Sequence, residues 1–274
     1  MIVKRKASVV HFTKGKRMEQ ADYIIPGLRA GQVGLVSAPG GTGKTFLLLE
    51  IAFSVASGKE LINGIKPAAA GPVRVLNFEE DEFELECRGN VIWDTWPDLD
   101  LSGKLSVVCM NGVSLQLLTM HGKTRTDDLN WLLEVAKGMR LLILDPLRHV
   151  HMADENNAAM MAALMQILKY VAQETGCGIL VAHHTSKAAV LNGQGDVQQS
   201  VRGSSALVDA ARLVMTLSRP KDADGNLLEL SWVKINSHPP IKPVILTRVT
   251  GGVLMSVDLP EFSIEFEDEP EEKF

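Results

Sequence analysis

The chain has 274 residues, of which 46% are apolar and 22% are charged. This composition is typical of a globular protein and excludes a chain that is disordered throughout. Its apolar runs fall short of the roughly 18 residues that a membrane span needs, and residues 1–17 lack the apolar core of a secretory signal. Three widely spaced cysteines fit neither a disulfide framework nor a zinc motif. Together these observations predict a cytoplasmic protein without membrane association.

The net charge of −5 counts against a protein that coats duplex DNA, because neutralising phosphates needs a basic surface. The charge is unevenly spread: residues 1–17 carry six Lys and Arg and no acid, whereas residues 258–274 carry eight acids and one Lys. We therefore divide the chain into a basic arm (1–22), one domain (23–257) and an acidic tail (258–274). Both ends are expected to be solvated tails. The alternative for the acidic tail is contact with a partner or competition with DNA.

Short apolar runs alternate with helical stretches between residues 32 and 182, which is the pattern of a parallel sheet with crossover helices. The predicted strands here are 32–37, 73–78, 105–109, 141–144 and 178–182, and the predicted helices are 44–57, 126–137 and 156–174. After residue 210 the pattern changes to strands joined by turns, predicted at 213–217, 227–234, 244–248 and 252–257. The predicted fold is α/β, a mostly parallel sheet with helices on both faces and antiparallel strands added at one edge.

The strongest motif is the segment Ala38–Thr45, which reads APGGTGKT between a predicted strand and a predicted helix. Glycines let successive backbone N–H groups turn towards phosphate oxygens, and the following helix adds its positive end. In a P-loop of this kind the lysine reaches the β- and γ-phosphates and the next hydroxyl binds Mg²⁺. The alternative is a glycine-rich turn that binds nothing. We assign the nucleotide to Gly40, Gly41, Thr42, Gly43, Lys44 and Thr45.

Acidic residues follow two other predicted strands. Asp145 ends the apolar run LLIL and is predicted to be the second Mg²⁺ anchor at the carboxyl edge of the sheet, although it could instead cap the next turn. Glu79 and Glu80 follow the strand 73–78, and one of them, with Glu79 preferred, is predicted to polarise the attacking water. The alternative for both is the first turn of an acidic helix over residues 80–86.

A histidine pair precedes a long polar segment. His183 and His184 end the strand predicted at 178–182. One of them is predicted to sense the γ-phosphate or to link the nucleotide to the following loop, the alternative being a histidine of the core. The segment 185–203 carries Lys187 and Arg202, a composition that suits contact with the backbone of single-stranded nucleic acid. The alternative is a surface loop without a ligand.

In this order the motifs resemble those of RecA-like hexameric helicases, and among these the plasmid-encoded RepA-type replicative helicases related to the DnaB ATPase core. The resemblance extends from about residue 23 to about residue 254 and rests on several strings. These are Ala38–Thr45, Glu79–Asp81, Leu144–Asp145, His183–Lys187, Gln198–Ser205 and Leu207–Asp209. The P-loop alone is unspecific, whereas the His-His-Thr-Ser-Lys and Arg-Gly-Ser-Ser strings are specific.

The resemblance implies further roles. Glu79 aligns with the glutamate that activates water, and His184 with the sensor before the DNA loop. Arg88 aligns with an arginine that contacts the nucleotide and couples hydrolysis to a neighbouring subunit. Arg212 aligns with the arginine that reaches the next subunit's γ-phosphate, where Lys234 joins it. The resemblance also implies ATP and Mg²⁺ as cofactors and a homo-oligomer, most often a hexamer.

The sequence therefore predicts an ATP-dependent, ring-forming helicase that translocates on single-stranded DNA during replication of a plasmid, phage or mobile element. Lys187 and Arg202 would line the channel. A primase or an initiator protein is a further candidate partner. Two alternatives remain open, a RecA-like recombinase and a nucleotide-gated scaffold that binds single-stranded DNA without unwinding it.

Overall fold

Eleven short strands and five α-helices account for most of the residues that the structure describes. The computed structural model describes residues 22–184, 205–220 and 226–257. The strands are β1 (Tyr23–Ile25), β2 (Leu28–Arg29), β3 (Val33–Ala38), β4 (Val73–Asn77), β5 (Leu105–Cys109), β6 (Leu141–Asp145), β7 (Gly178–His184), β8 (Leu213–Ser218), β9 (Leu227–Ile235), β10 (Val244–Arg248) and β11 (Leu254–Ser256). The helices are α1 (Lys44–Ser57), α2 (Glu82–Thr95), α3 (Thr126–Ala136), α4 (Ala158–Thr175) and α5 (Ser205–Ala210).

Nine of these strands form one mixed sheet in the order β11-β10-β9-β8-β3-β7-β6-β4-β5. The strands from β8 to β5 in this order are parallel, and β9, β10 and β11 are antiparallel to their neighbours. The predicted α/β sheet with antiparallel strands at one edge is confirmed. The grouping of strand 213–217 with the antiparallel strands is wrong in part, because β8 runs parallel to β3 and is antiparallel only to β9.

Alternate residues of each central strand face opposite sides of the sheet, as the pleat requires. In β7, Leu180 and Ala182 join the apolar cluster around α1, whereas Ile179 and Val181 join the cluster around α3, α4 and α5. Both faces are therefore covered, which explains why these strands read as unbroken apolar runs. Helix α1 is buried almost along its whole length, so the P-loop that precedes it is fixed to the core.

Several bounds differ from the predicted ones for local reasons. Helix α4 begins at Ala158 rather than at residue 156, because the side chain of Asn157 caps it by accepting the N–H of Met160. Strand β7 continues through both histidines, which pair with the end of β3. The hairpin formed by β1 and β2 is not among the predicted elements, since two strands of two or three residues leave little periodicity.

The start of helix α2 shows which residues of the acidic segment after β4 are helical. The side chain of Asp81 accepts the N–H of Glu84 and so starts the helix at Glu82. Glu79 and Glu80 therefore precede the helix and are not its first turn.

Among the described residues, we find no helix that combines the length and apolarity needed to cross a bilayer.

Candidate nucleotide-binding site

The glycine-rich loop between β3 and α1 has the conformation that its sequence predicts. Gly41 and Gly43 adopt φ angles of 76° and 98°, in the left-handed region that favours glycine. The hydroxyl of Thr42 donates to the carbonyl of Pro39 at 2.7 Å and closes the turn. Helix α1 then begins at Lys44, so its unpaired N–H groups face the loop. The arrangement is a preformed anion site at the carboxyl edge of the sheet.

Two oxygen ligands meet beside this loop. The hydroxyl of Thr45 donates to Oδ2 of Asp145 at 2.9 Å, and Asp145 is buried at the end of β6. Nδ2 of Asn77 also donates to Oδ2 of Asp145, at 3.3 Å, and steadies the carboxylate. Oδ1 of Asp145 has no hydrogen bond within the described residues. A hydroxyl and a carboxylate with a spare buried oxygen fit the hard oxygen coordination of Mg²⁺.

Lys44 extends from the first turn of α1 towards the same carboxylate. Its Nζ lies 3.6 Å from Oδ1 of Asp145 and 3.0 Å from Nε2 of His184. Burial lowers the pKa of Lys44, and the nearby Asp145 partly offsets this. Burial likewise raises the pKa of Asp145, with Lys44 opposing the shift. The site thus holds opposite charges out of water, where a bound phosphate interacts strongly with the ammonium.

The two acids after β4 have different surroundings. The side chain of Asn77 accepts both their N–H groups, at 3.1 Å for Glu79 and 2.8 Å for Glu80, and this turn fixes where they point. Glu79 is 43% exposed, and its Oε1 lies 3.5 Å from Nε2 of His184 and 3.7 Å from Nε2 of His149. Its carboxylate therefore faces the pocket without a lysine or arginine partner among the described residues.

Glu80 is instead committed to a structural pair. Its Oε1 forms an ion pair with Arg88, and burial raises its pKa to about 6 despite that partner. The guanidinium of Arg88 lies 5.0 Å from the centre of the Phe46 ring, a cation–π contact. Arg88 thus lines the pocket of its own chain, where the sequence predicts a nucleotide contact. The assignment of water activation to Glu79 rather than Glu80 stays a prediction.

The pocket has a volume of about 310 Å³ and brings together residues from four parts of the sequence. It is lined by Pro39, Gly40, Gly41, Gly43, Lys44, Thr45, Phe46, Glu79, Glu80, Arg88, His184, Arg248 and Gly252. Arg248, Gly252 and the supporting Asn77 are absent from the residues that the sequence predicts. The place of Asn77, a polar residue at the end of β4 directly before Phe78 and the two acids, is a signal that could have identified it. Arg248 has no local motif and reaches the pocket only through the fold.

Two predicted residues lie away from this pocket. The backbone N–H of Arg212 donates to the carbonyl of Val33 at 2.9 Å, so Arg212 lies at the amino edge of the parallel strands. Arg212 is exposed there. Lys234 lies at the same edge, and its Nζ donates to the carbonyls of Val208 and Asp209, both at 2.9 Å. The structure therefore brings neither residue to the P-loop of its own chain.

Arg212 lies beside Val33 at the start of β3, whereas the P-loop follows Ala38 at its end. At about 3.3 Å for each strand residue, the length of β3 between them is about 17 Å. This span is longer than an arginine side chain.

The DNA-contact candidates Lys187 and Arg202 lie outside the described residues, as do the segment 185–203, residues 1–21 of the basic arm and the acidic tail. Within the described ranges, no group of three or more His, Cys, Asp and Glu side chains could hold a metal ion.

A family model described as an AAA domain, AAA_25, matches residues 2–190, more than half of the chain. The chain belongs to this AAA domain family. The matched range contains the P-loop, the acids after β4 and the strand that ends at Asp145. The nucleotide pocket is thus made mainly of residues that the family model covers, with Arg248 and Gly252 as additions from beyond it.

Solved structures share the fold of this AAA domain at low sequence identity. The ATPase domain of G40P is 15% identical, with a TM-score of 0.59, and the match covers 83% of this chain and 85% of that one. A DnaB-like replicative helicase, described with its primase interactions, is 16% identical with a TM-score of 0.60 over 84% of this chain. The RadB recombinase is 14% identical with a TM-score of 0.56, covering 84% of this chain and 93% of that one.

The matched part of this chain covers 58% of the length of the DnaB-like helicase chain. At these identities the likeness concerns the fold, which is the RecA-like core that the sequence predicts. Family, fold and pocket together make this chain an AAA domain protein with a RecA-like core and a preformed phosphate-binding loop.

Proposed function

We propose that the chain is the motor of a ring-shaped, hexameric DNA helicase that hydrolyses ATP while moving along single-stranded DNA. The process it serves is replication of a plasmid, phage or mobile element in the cytoplasm. A primase or an initiator protein is its proposed partner at the fork. The single observation that carries this proposal is the separation of Arg212 from the nucleotide pocket of its own chain.

The pocket supplies a phosphate-binding backbone, a lysine, two candidate metal ligands and the partly exposed carboxylate of Glu79. The arginine that should offset charge on the γ-phosphoryl group lies at the far edge of the sheet, exposed. A second copy can bring its Arg212 to this pocket, whereas the same chain cannot. Assembly would then complete the site, so that hydrolysis requires a neighbour.

The proposed reaction is hydrolysis of the terminal phosphoanhydride. Water attacks the γ-phosphorus, the bond to the β,γ-bridging oxygen breaks, and ADP and phosphate form. Glu79 accepts a proton from the attacking water, and Lys44 with the neighbour's Arg212 offsets charge on the phosphoryl oxygens. Thr45 and Asp145 would hold Mg²⁺, which would neutralise part of the phosphate charge.

Contact with DNA is assigned to the loop 185–203, which follows His184 directly in the sequence. Lys187 and Arg202 supply its positive charge, and six copies would bring twelve such cations to one channel. The contact between Lys44 and His184 supports a link between this loop and the nucleotide. A ring of such chains, each with a net charge of −5, could bind a single strand in its channel without binding duplex DNA over its outer surface.

The test measures ATP hydrolysis with and without single-stranded DNA, together with the mass of the assembly in a non-hydrolysable nucleotide. We expect DNA to stimulate hydrolysis and the assembly to contain six copies that unwind a forked duplex. The likeness to the RadB recombinase makes joint-molecule formation the main alternative readout. Formation of joint molecules without unwinding of the fork would contradict the helicase proposal and favour a recombinase. A rate of ATP hydrolysis that is the same with and without single-stranded DNA would favour a nucleotide-gated scaffold.

A further inference from the structure

Arg248, at the end of β10, is a half-buried arginine on the flank of the P-loop opposite the metal ligands. Its Nη2 donates to the carbonyl of Gly41 at 3.4 Å. It also lies 3.0 Å from the place that a Cβ on Gly43 would occupy, so it is against the loop itself. No step of the proposed hydrolysis uses this cation, although it lines the nucleotide pocket.

The order of strands fixes which part of a nucleotide this flank can meet. Strands β7 and β6 lie on one side of β3 and carry His184, the proposed γ-phosphate sensor, and Asp145, the proposed metal ligand. Strand β10 lies on the other side of β3. A triphosphate whose terminal group is near Asp145 must therefore direct its α-phosphate and nucleoside away from that side, towards β10.

Contacts around Arg248 hold its backbone in place. Arg248 is paired with Leu254 across the β10–β11 hairpin, and the N–H of Leu254 donates to the buried carboxyl of Glu50 at 2.7 Å. Glu50 belongs to α1, the helix that begins at the P-loop. The hairpin that carries Arg248 is thus fastened to the same helix that holds the phosphates.

The turn of this hairpin closes the same end of the pocket. A Cβ on Gly252 would lie 2.5 Å from the ring of Phe46, and one on Gly251 would lie 2.4 Å from Val91. Only glycine allows this close approach, and both residues have positive φ angles. The turn therefore packs directly on α1 and α2, and it leaves the guanidinium of Arg248 at the pocket wall.

The hydrogen-bonding capacity of Arg248 is largely unused. A guanidinium carries five N–H donors, and its hydrogen bond to Gly41 is long. Within the described residues, no carboxylate lies within ion-pair distance of it. A half-buried guanidinium with spare donors beside a phosphate-binding loop is suited to an anionic ligand.

We propose that Arg248 binds the nucleotide of its own chain on the α-phosphate and nucleoside side. This inference rests on the proposed function, because it assumes that the pocket binds ATP. It gives each copy two arginines with distinct tasks: Arg248 acts in its own pocket and holds ATP and ADP alike, whereas Arg212 acts on the neighbour's γ-phosphate.

The experiment measures equilibrium binding of fluorescent ATP and ADP analogues to the full chain and to the variants Arg248→Ala and Arg248→Lys. We expect Arg248→Ala to weaken binding of both nucleotides by a similar factor, about tenfold or more, as for loss of one charge-assisted contact. Arg248→Lys should recover part of the loss. Arg125→Ala, at an exposed arginine on α3's amino side, is the matched control and should bind as the wild type does.

The outcomes separate the two proposals. Wild-type protein that binds neither nucleotide contradicts the proposed function itself. Wild-type binding with no loss in Arg248→Ala, or with a loss confined to ATP, overturns this role of Arg248. Thermal unfolding without nucleotide is measured in parallel, and Arg248→Lys keeps the test valid should the alanine variant unfold. A weaker affinity in a lysine variant of unchanged melting temperature supports a direct contact.

Discussion

The ammonium of Lys44 lies 3.0 Å from Nε2 of His184, the last residue of β7. This histidine also lies 3.5 Å from the carboxylate of Glu79. One imidazole thus touches the phosphate-binding lysine and the proposed water-activating acid, and it immediately precedes the segment assigned to DNA. We therefore expect His184 to respond to the occupancy of the γ-phosphate position.

We expect His184→Gln to reduce the stimulation of ATP hydrolysis by single-stranded DNA, because the link between Lys44 and the loop is weakened. The measurement is the ratio of hydrolysis rates with and without saturating DNA. His149→Gln is the matched control, since His149 is also near Glu79, at 3.7 Å, but lies in the short 3₁₀ helix Leu147–Val150 after β6. An equal drop of the ratio in both variants would contradict a specific role for His184.

Glu79→Gln should lower kcat for ATP hydrolysis by about 10²- to 10⁴-fold, the usual range for loss of a general base. ATP affinity should be retained, because the phosphate-binding loop is unchanged. Glu80→Gln should have the smaller effect on kcat, since Glu80 is paired with Arg88. Single-turnover kinetics and nucleotide binding separate the two steps. The reverse order of the two variants would assign water activation to Glu80.

Arg212→Ala and Glu79→Gln should each be inactive alone yet recover activity when mixed. In a mixed ring, a copy with intact Glu79 can sit beside a copy with intact Arg212, and that one interface is complete. The measurement is ATP hydrolysis as a function of mixing ratio. The control replaces Glu79→Gln by the double variant, which should give no recovery. Absence of recovery in both mixtures would show that Arg212 does not act in a neighbour's site.

Glu50 should make stability depend on pH. Burial raises the pKa of Glu50 to about 8 in the folded chain, whereas an unfolded glutamate titrates near 4.3. Between these pH values the folded state keeps a proton that the unfolded state has released. The free energy of unfolding contributed by this group is therefore greatest at low pH and falls as pH rises towards about 8.

Glu50→Gln removes this titration. We expect the variant to gain stability relative to the wild type as pH rises from about 5 to about 8, measured as the difference in free energy of unfolding. Glu134→Gln, at an exposed surface glutamate, is the control and should show no such trend. A difference for Glu50→Gln that stays constant across this range would mean that Glu50 is ionised in the folded chain.

The residues that sequence alone could find are those whose chemistry is local. The P-loop and Asp145 each combine a strand, a turn and a distinctive residue within a few positions, so their structure follows from short-range pattern. The glutamate pair is similar, because a strand end delivers it to the carboxyl edge. Their burial and mutual distances then follow from neighbouring parallel strands in register.

The residues that sequence missed depend on contacts between distant segments. Arg248 and Gly41 are separated by 207 positions, and only the folded chain brings them together. The orientation of β8 depends likewise on its pairing with β3, which no local periodicity encodes. Glu50 is a carboxyl in an almost entirely buried helix, and its partner Leu254 lies 204 positions further along the chain, so no local pattern reveals the contact.

The positions of Arg212 and the nucleotide pocket at opposite edges of the sheet constrain the symmetry of any assembly built on them. A copy that gives its arginine at one edge and receives one at the other makes a head-to-tail contact. Repetition of that contact produces a closed ring when the rotation between copies divides the circle, and a helical filament when it does not. A replicative motor and a strand-pairing filament can therefore share every residue of this site and differ in one angle.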